Sequence, residues 1–367
     1  NYIVKYEPGK LEITKSDSLK VTAKGYTGTY DGTSHRASAV AKVGDNLDPA
    51  GTTIYYKTGD GNWTTEAPSI KNAGEKTFQV KAVNSNYEDA VDEGVLKVEK
   101  RKVTLTSETA SKTFDGTPLT RPVVNESGDG FVPGELDYAK ATGSITKVGG
   151  PVDNKIEYKL KDGFKSDNYE VTLKTGTLTI TKIPASDLTV EVKANDHEWT
   201  YDGQSHSDNG FKVEKGLDKL QKINSKFTVK ADVKGTVKNV SDTADGNNKV
   251  TDVKIMLGDQ DVTDQFAAGV ITKKDGKLTI TPKPVTLSSA SVTRPYNGME
   301  LTSPEVQGKD GFVAGELKSA VATGKITEAG SVKNHIEFQL NNGFREDNYA
   351  VTLKPGTLTI TKVTGSE

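Results

Sequence analysis

Apolar residues occupy every second position through much of this chain, and the alternation breaks off at short, regular intervals. Tyr169, Val171 and Leu173 alternate with polar residues, and after Lys174-Thr175-Gly176 the pattern resumes with Leu178 and Ile180 set between threonines. A period of two sends successive side chains to opposite faces of a strand, so this passage predicts two strands joined by a turn, a closing hairpin with one apolar and one threonine face. Glycine recurs at that turn, at Gly9, Gly94, Gly176, Gly276 and Gly356, which suggests a backbone of positive φ. Helical spacing with caps is missing from nearly the whole chain, and KLQKINSKF at 219–227 is the one fair helix candidate. The expected class is all-β, built as small antiparallel β-sandwiches of immunoglobulin-like size. A β-grasp arrangement is the alternative and would need a helix in the middle of every repeat.

The closing pattern returns five times: LEITK at 11–15, VLKVEK at 95–100, TLTITK at 177–182, KLTITP at 277–282 and TLTITK at 357–362. In four copies an Asn-Tyr pair stands 14 residues before the terminal lysine, at Asn1-Tyr2, Asn86-Tyr87, Asn168-Tyr169 and Asn348-Tyr349. The spacing between copies is domain-sized, well above that of solenoid repeats. The expected organisation is therefore a closing hairpin at 1–15 left from a preceding, truncated repeat, then four repeat domains at 16–100, 101–182, 183–283 and 284–367. Repeats pass into one another without Gly/Ser spacers, as at Lys100-Arg101 or through Pro282-Lys283-Pro284. Such joints predict a semi-rigid rod of about 120 Å or more, taking about 30 Å for each repeat.

Composition narrows the function. Apolar residues make up only 33% of the chain, which suits several small cores better than one large one. The 48 basic and 50 acidic residues are interspersed, so no field favours nucleic acid or an anionic membrane. The absence of cysteine removes disulfides, thiolate catalysis and Cys-zinc sites together. No run of apolar residues is long enough to span a membrane, and any targeting signal or anchor is expected outside this stretch.

Two further elements recur. Tyr30-Asp31-Gly32, Phe114-Asp115-Gly116, Tyr201-Asp202-Gly203 and Tyr296-Asn297-Gly298 each set an aromatic before a turn pair. They predict a tight turn with its ring anchored in the core. Because Asn297 replaces the acid in one copy, the aspartate is expected to serve the turn and not chemistry. GDGFVPGEL (128–136) and KDGFVAGEL (309–317) mark the second and fourth repeats as siblings and read as a loop between strands.

With their closing LTIT strands, YDGTSH at 30–35 and YDGQSH at 201–206 resemble the MBG and YDG-type tandem repeats of large Gram-positive bacterial surface proteins. The stretch 55–90, with Trp63 after a Gly-Asn turn, resembles the middle strands of that family, and the second and fourth repeats resemble its DGFV-GEL subtype. The third repeat departs most, having Asp264-Gln265-Phe266 where the second and fourth have Asp-Asn-Tyr. The resemblance implies a secreted, cell-surface protein anchored to the cell wall, adhesin-like, with display and spacing as its task and no shared active site.

Candidate chemistry is thin. Ser34-His35 with Asp31 lie adjacent on one turn, an arrangement in which a nucleophile, base and orienting acid do not ordinarily converge. Asp259, Asp261 and Asp264 lack the glycine and terminal glutamate of a calcium loop. Lys102 with Asn154 could form an internal amide cross-link, but the sibling repeat has no lysine to pair with Asn334 in the same way. Trp63 and Trp199 are the tryptophans, candidate glycan contacts through ring stacking or else core filling. The expected function is a non-enzymatic stalk without cofactor or metal, monomeric, holding a binding module away from the cell wall. The alternative is that the repeats themselves bind host glycan, mucin or extracellular-matrix protein.

Overall fold

The computed structural model describes residues 1–363, so the last four residues of the fourth repeat, 364–367, lie outside the described residues. The chain is all-β, with many short strands in small sheets. It divides into two compact units, Asn1–Thr113 with Thr117–Thr181, and Phe114–Gly116 with residues 182 onward. Each unit holds the greater part of two sequence repeats.

The predicted strands form, but the predicted closing hairpin does not. Tyr169–Lys174 and Gly176–Thr181 pair with other strands and not with each other. The first runs parallel to the opening strand Arg101–Ser107. The second lies parallel to Ala110–Thr113 on one side and antiparallel to Gly149–Asn154 on the other. One linking residue, Thr175, is too short to reverse the chain, so it steps from one sheet to the next. The fourth repeat repeats this plan with Lys283–Ser289 parallel to Tyr349–Lys354, and Val292–Pro295 parallel to Gly356–Thr361. The third does so with Val190–Ala194 beside Ile271–Lys274. The sheets are therefore mixed, which corrects the expectation of purely antiparallel sandwiches.

The glycine at the step is required for a different reason from the one expected. Its φ is not positive; instead the backbone passes close to the opening strand. A Cβ on Gly176 would stand 2.5 Å from the Glu108 carbonyl oxygen, and one on Gly356 would stand 2.4 Å from that of Ala290. Beside it, Ser107 Oγ accepts from the Gly176 N–H and donates to the Asn154 carbonyl oxygen, and Ser289 does the same for Gly356 and Asn334. In the first repeat the closing passage is one long strand, Tyr87–Glu99, in a hairpin with Gly74–Asn84. There Gly94 makes room for the Phe78 ring.

Residues 1–15 carry no strand, which corrects the expected hairpin. Leu11 and Ile13 are exposed, whereas their counterparts Leu178 and Ile180 are buried. The strands that flank Gly176–Thr181 have no equivalent around residues 1–15 among the described residues. The helix candidate in the third repeat is realised as Leu217–Ile223, the α-helix found among the described residues. Among the described residues, the other three repeats show no central α-helix of the kind a β-grasp arrangement would need.

Strand burial follows the alternation. Val103, Leu105 and Ser107 point inward from Arg101–Ser107, and Leu178 and Ile180 point inward from Gly176–Thr181. Full burial of such a leucine or isoleucine is worth about 1.5–3 kcal/mol. Leu19, Val21, Phe78, Val80 and Leu96 form the core of the first repeat.

Candidate functional site

The four aromatic turns have the predicted backbone. Gly32, Gly116, Gly203 and Gly298 all adopt φ between 77° and 81°. Asp31, Asp202 and Asn297 each accept, through Oδ1, the backbone N–H two residues on. An amide does this as well as a carboxylate, which accounts for Asn297. The Asp31 carboxyl is held down at about 2 by the Thr33 N–H and hydroxyl, with a smaller contribution from His35.

The rings lie elsewhere than expected. Tyr30 joins not the core of its own repeat but that of the next, among Val103, Leu105, Phe131, Ile156 and Tyr169. Its hydroxyl donates to Glu135 Oε1 at 2.8 Å, while the Tyr169 hydroxyl donates to Glu135 Oε2 at 2.7 Å and accepts from the Val132 N–H. Glu135 is buried, with both oxygens satisfied. Burial, then the carboxylate, pushes the Tyr30 phenol up to about 12, and raises that of Tyr169 further. Beside this pair, Asn168 Oδ1 accepts the Ala73 N–H and its amide donates to Asn72 Oδ1. The Arg101 guanidinium donates to the carbonyls of Tyr30, Asp129 and Gly130.

The second unit contains the same joint between its two repeats. Tyr201 donates to Glu316, Tyr349 donates to Glu316 Oε2 at 2.7 Å, and Val313 N–H donates to the Tyr349 hydroxyl. Asn348 Oδ1 accepts the Val240 N–H and its amide donates to Asn239. Phe114, also in the second unit, packs on Phe227 and Phe266, while Asn224 donates to the Asp115 carbonyl. All three turn rings meet the ring after the Asn or Gln edge-on: Tyr30 on Tyr169 at 82°, Phe114 on Phe266 at 81°, Tyr201 on Tyr349 at 79°. Such T-shaped pairs add about 0.5–1.5 kcal/mol beyond area burial. Tyr296, by contrast, is 42% exposed.

Sequence reasoning had placed the GEL loop between strands without a role, and so missed Glu135 and Glu316. A signal was available: the loop occurs only in the repeats that follow a tyrosine turn, and not in the one that follows Phe114. The Asp264-Gln265-Phe266 departure is the same device as Asp-Asn-Tyr. Thr263–Gln265 and Ser166–Asn168 are both single 3-10 turns leading into the aromatic.

Of the remaining candidates, Trp199 packs against the cluster that holds Tyr201 and Tyr349. His35 Nε2 lies 3.1 Å from Asp31 Oδ1, and the hydroxyl within its reach is that of Thr33, so Ser34 forms no triad with it. Asp261 caps Thr263 through both its N–H and hydroxyl. The Asn154 amide donates to the Glu108 and Arg121 carbonyls, and Lys102 is exposed. Trp63 is half-buried with Lys81 Nζ over its ring. Trp199, also half-buried, stacks with His197 and His206, which are held by Asp208 and Asp202.

No protein-family model matches the chain, and no curated protein does. Among solved structures it is similar to SGBP-B of a Bacteroides ovatus mixed-linkage glucan utilization locus, determined in complex with a mixed-linkage heptasaccharide. The match has 10% identity, covers 95% of this chain and 71% of that one, and has a TM-score of 0.18, too low to carry a functional argument. No helix among the described residues is long and apolar enough to cross a membrane.

Proposed function

We propose that this chain is a non-enzymatic spacer of an extracellular, surface-displayed adhesin, a stalk of MBG/YDG-like repeats whose task is to hold another module at a distance. The observation that supports this reading is the repeated joint. The aromatic turn of one repeat is sunk in the core of the next and fixed to a buried glutamate, with Asn168 or Asn348 closing the other side. A chain that only linked independent binding modules would have no use for burying a tyrosine and a carboxylate where repeats meet. Cell-wall anchoring follows from the family resemblance and is part of the proposal.

Binding of glycan or matrix protein by the repeats is the second reading. Trp63 and Trp199 could serve it, but the first ring is covered by Lys81 and the second stacks against two imidazoles. The absence of native cysteine allows spin labels at Asp45→Cys and Asp162→Cys, exposed positions in consecutive repeats. A narrow distance distribution that broadens in Glu135→Ala is expected. A broad distribution in the wild type would end the keyed-spacer reading, and binding of the chain to a glycan array would favour the second.

A further inference from the structure

Among the described residues, Asp48 is the one non-glycine position with a left-handed backbone, at φ +49°, and the residue after it is proline. The two features oppose each other. A proline ring crowds the N–H and Cβ of the residue before it and favours φ of about −120° there. In the left-handed region a side chain sets its Cβ against the carbonyl oxygen that follows. Asp48-Pro49 is also the single Asp-Pro bond in the sequence.

Contacts on both sides hold this strain in place. Upstream, the Asp48 N–H donates to the Ala41 carbonyl at 2.8 Å, and Asp48 Oδ1 accepts the Ala41 N–H at 3.2 Å. Downstream, Pro49 is buried, and its carbonyl accepts the Thr52 N–H across a turn in which Gly51 has φ +80°. Asn84, itself buried, fixes that turn by donating to the Ala50 carbonyl and to Thr52 Oγ1. Strained backbone persists only where its surroundings over-determine it, and it gathers at sites of chemistry. The Asp48 side chain is exposed, and with Oδ1 engaged by Ala41 its Oδ2 is the oxygen available to react.

We propose that Asp48-Pro49 is a self-cleaving bond, cut in mild acid by its own side chain. Oδ2 of the protonated carboxyl attacks the Asp48 carbonyl carbon and closes a cyclic anhydride. The carboxyl proton passes to the Pro49 nitrogen, and the C–N bond breaks. Water then opens the anhydride, leaving Asp48 as a new carboxyl terminus and Pro49 as a new amino terminus; the sum is hydrolysis. Proline suits the leaving position because its amide is tertiary and its nitrogen takes up a proton more readily. Rupture frees Asp48 from the proline ring, so the folded chain cleaves faster than the unfolded one. The charged side chains of the surrounding strands and turn, Lys20, Lys42 and Asp45, are exposed, and Thr52 and Asn84 bring no charge. The cut falls between Ser38–Val43 and Thr53–Lys57, which both pack in the core of the first repeat, so the two pieces stay assembled.

The test holds the full chain at about pH 4, in the ordinary aspartate range, with and without urea. Circular dichroism verifies that the urea-free arm is folded, and denaturing electrophoresis with fragment mass follows the cut. Wild type is expected to give fragments that end at Asp48 and begin at Pro49. Their rate in the folded chain should be at least about five-fold that in urea, the ratio that the strain of a left-handed non-glycine residue supports. Asp48→Asn keeps an oxygen for the Ala41 N–H, lacks the attacking acid and should stay whole. Asn84→Ala loosens the turn and should lower the folded rate toward that in urea while leaving the rate in urea unchanged. A folded chain that stays uncut, equal rates with and without urea, cutting in Asp48→Asn, or a folded rate unmoved by Asn84→Ala would overturn the proposal.

Discussion

Replacing Tyr30 by phenylalanine removes one oxygen and leaves the ring, its edge-on contact with Tyr169 and the apolar surroundings in place. What is lost is a 2.8 Å hydrogen bond to a buried carboxylate. A hydrogen bond to a charged group contributes about 1.5–3 kcal/mol, and Glu135 would keep only the Tyr169 hydroxyl, so the variant should lose about 2 kcal/mol at the joint. Glu135→Leu alone should cost about 2–4 kcal/mol, because it strands two buried phenol hydroxyls. Combined, the two changes should cost at least about 1.5 kcal/mol less than their sum, since an apolar pair replaces a pair that needed each other. The chain already contains the apolar version, Phe114 against Phe227 and Phe266. The assay is native-state hydrogen exchange at the Ala73 amide, whose acceptor, Asn168 Oδ1, belongs to the neighbouring repeat. A loss of about 2 kcal/mol corresponds to about 30-fold faster exchange. Exchange within about two-fold of wild type in Tyr30→Phe, or a double variant that loses the full sum, would refute the reasoning.

Raised phenol values place the stability of these joints on the alkaline side. The neutral phenol is the bonded form, so the contribution of Tyr30 and Tyr201 is complete below the ordinary value of 10.0 and is lost as pH rises toward about 12; absorbance at 295 nm should show a late-ionising group that Glu135→Leu moves earlier. Asn154→Ala removes the donor to the Glu108 and Arg121 carbonyls and the acceptor of the Gly143 N–H, three part-buried bonds, and should destabilise the first unit by about 2–4 kcal/mol in urea unfolding; a loss under about 1 kcal/mol would contradict the bonding described. Gly356→Ala drives a Cβ into the Ala290 carbonyl and should lower the melting temperature of the second unit more than Gly9→Ala, where nothing lies within 4 Å, lowers that of the first. Intact mass should equal the sequence mass, since the Asn154 amide is committed to backbone carbonyls; a deficit of one ammonia would restore the cross-link.

Strand class and placement were legible because alternation is a local signal: Val103 and Leu105, or Leu178 and Ile180, announce an inward face whatever that face meets. Strand partners were not legible. The step at Thr175-Gly176 looks like a hairpin turn in sequence, and only the proximity of Ser107 and Glu108 shows a strand changing sheets. The aromatic turn was read correctly as backbone and wrongly as packing. A buried ring leaves the same trace in sequence whether the core it enters belongs to its own repeat or to the next one, about a hundred residues away. Glu135 was hidden for a related reason: a glutamate in a glycine-rich loop reads as solvated until the two phenols that satisfy it are brought beside it.

The parallel pairing of the two opening strands with the two closing strands also sets how a repeat responds to being pulled by its ends. Arg101–Ser107 and Tyr169–Lys174 lie side by side through six residue pairs, and Ala110–Thr113 and Gly176–Thr181 through four. Tension entering at one strand and leaving at the other runs along these ladders in opposite directions. Their hydrogen bonds are therefore sheared together and not opened one at a time from an end, so extension of the repeat must await a concerted rupture.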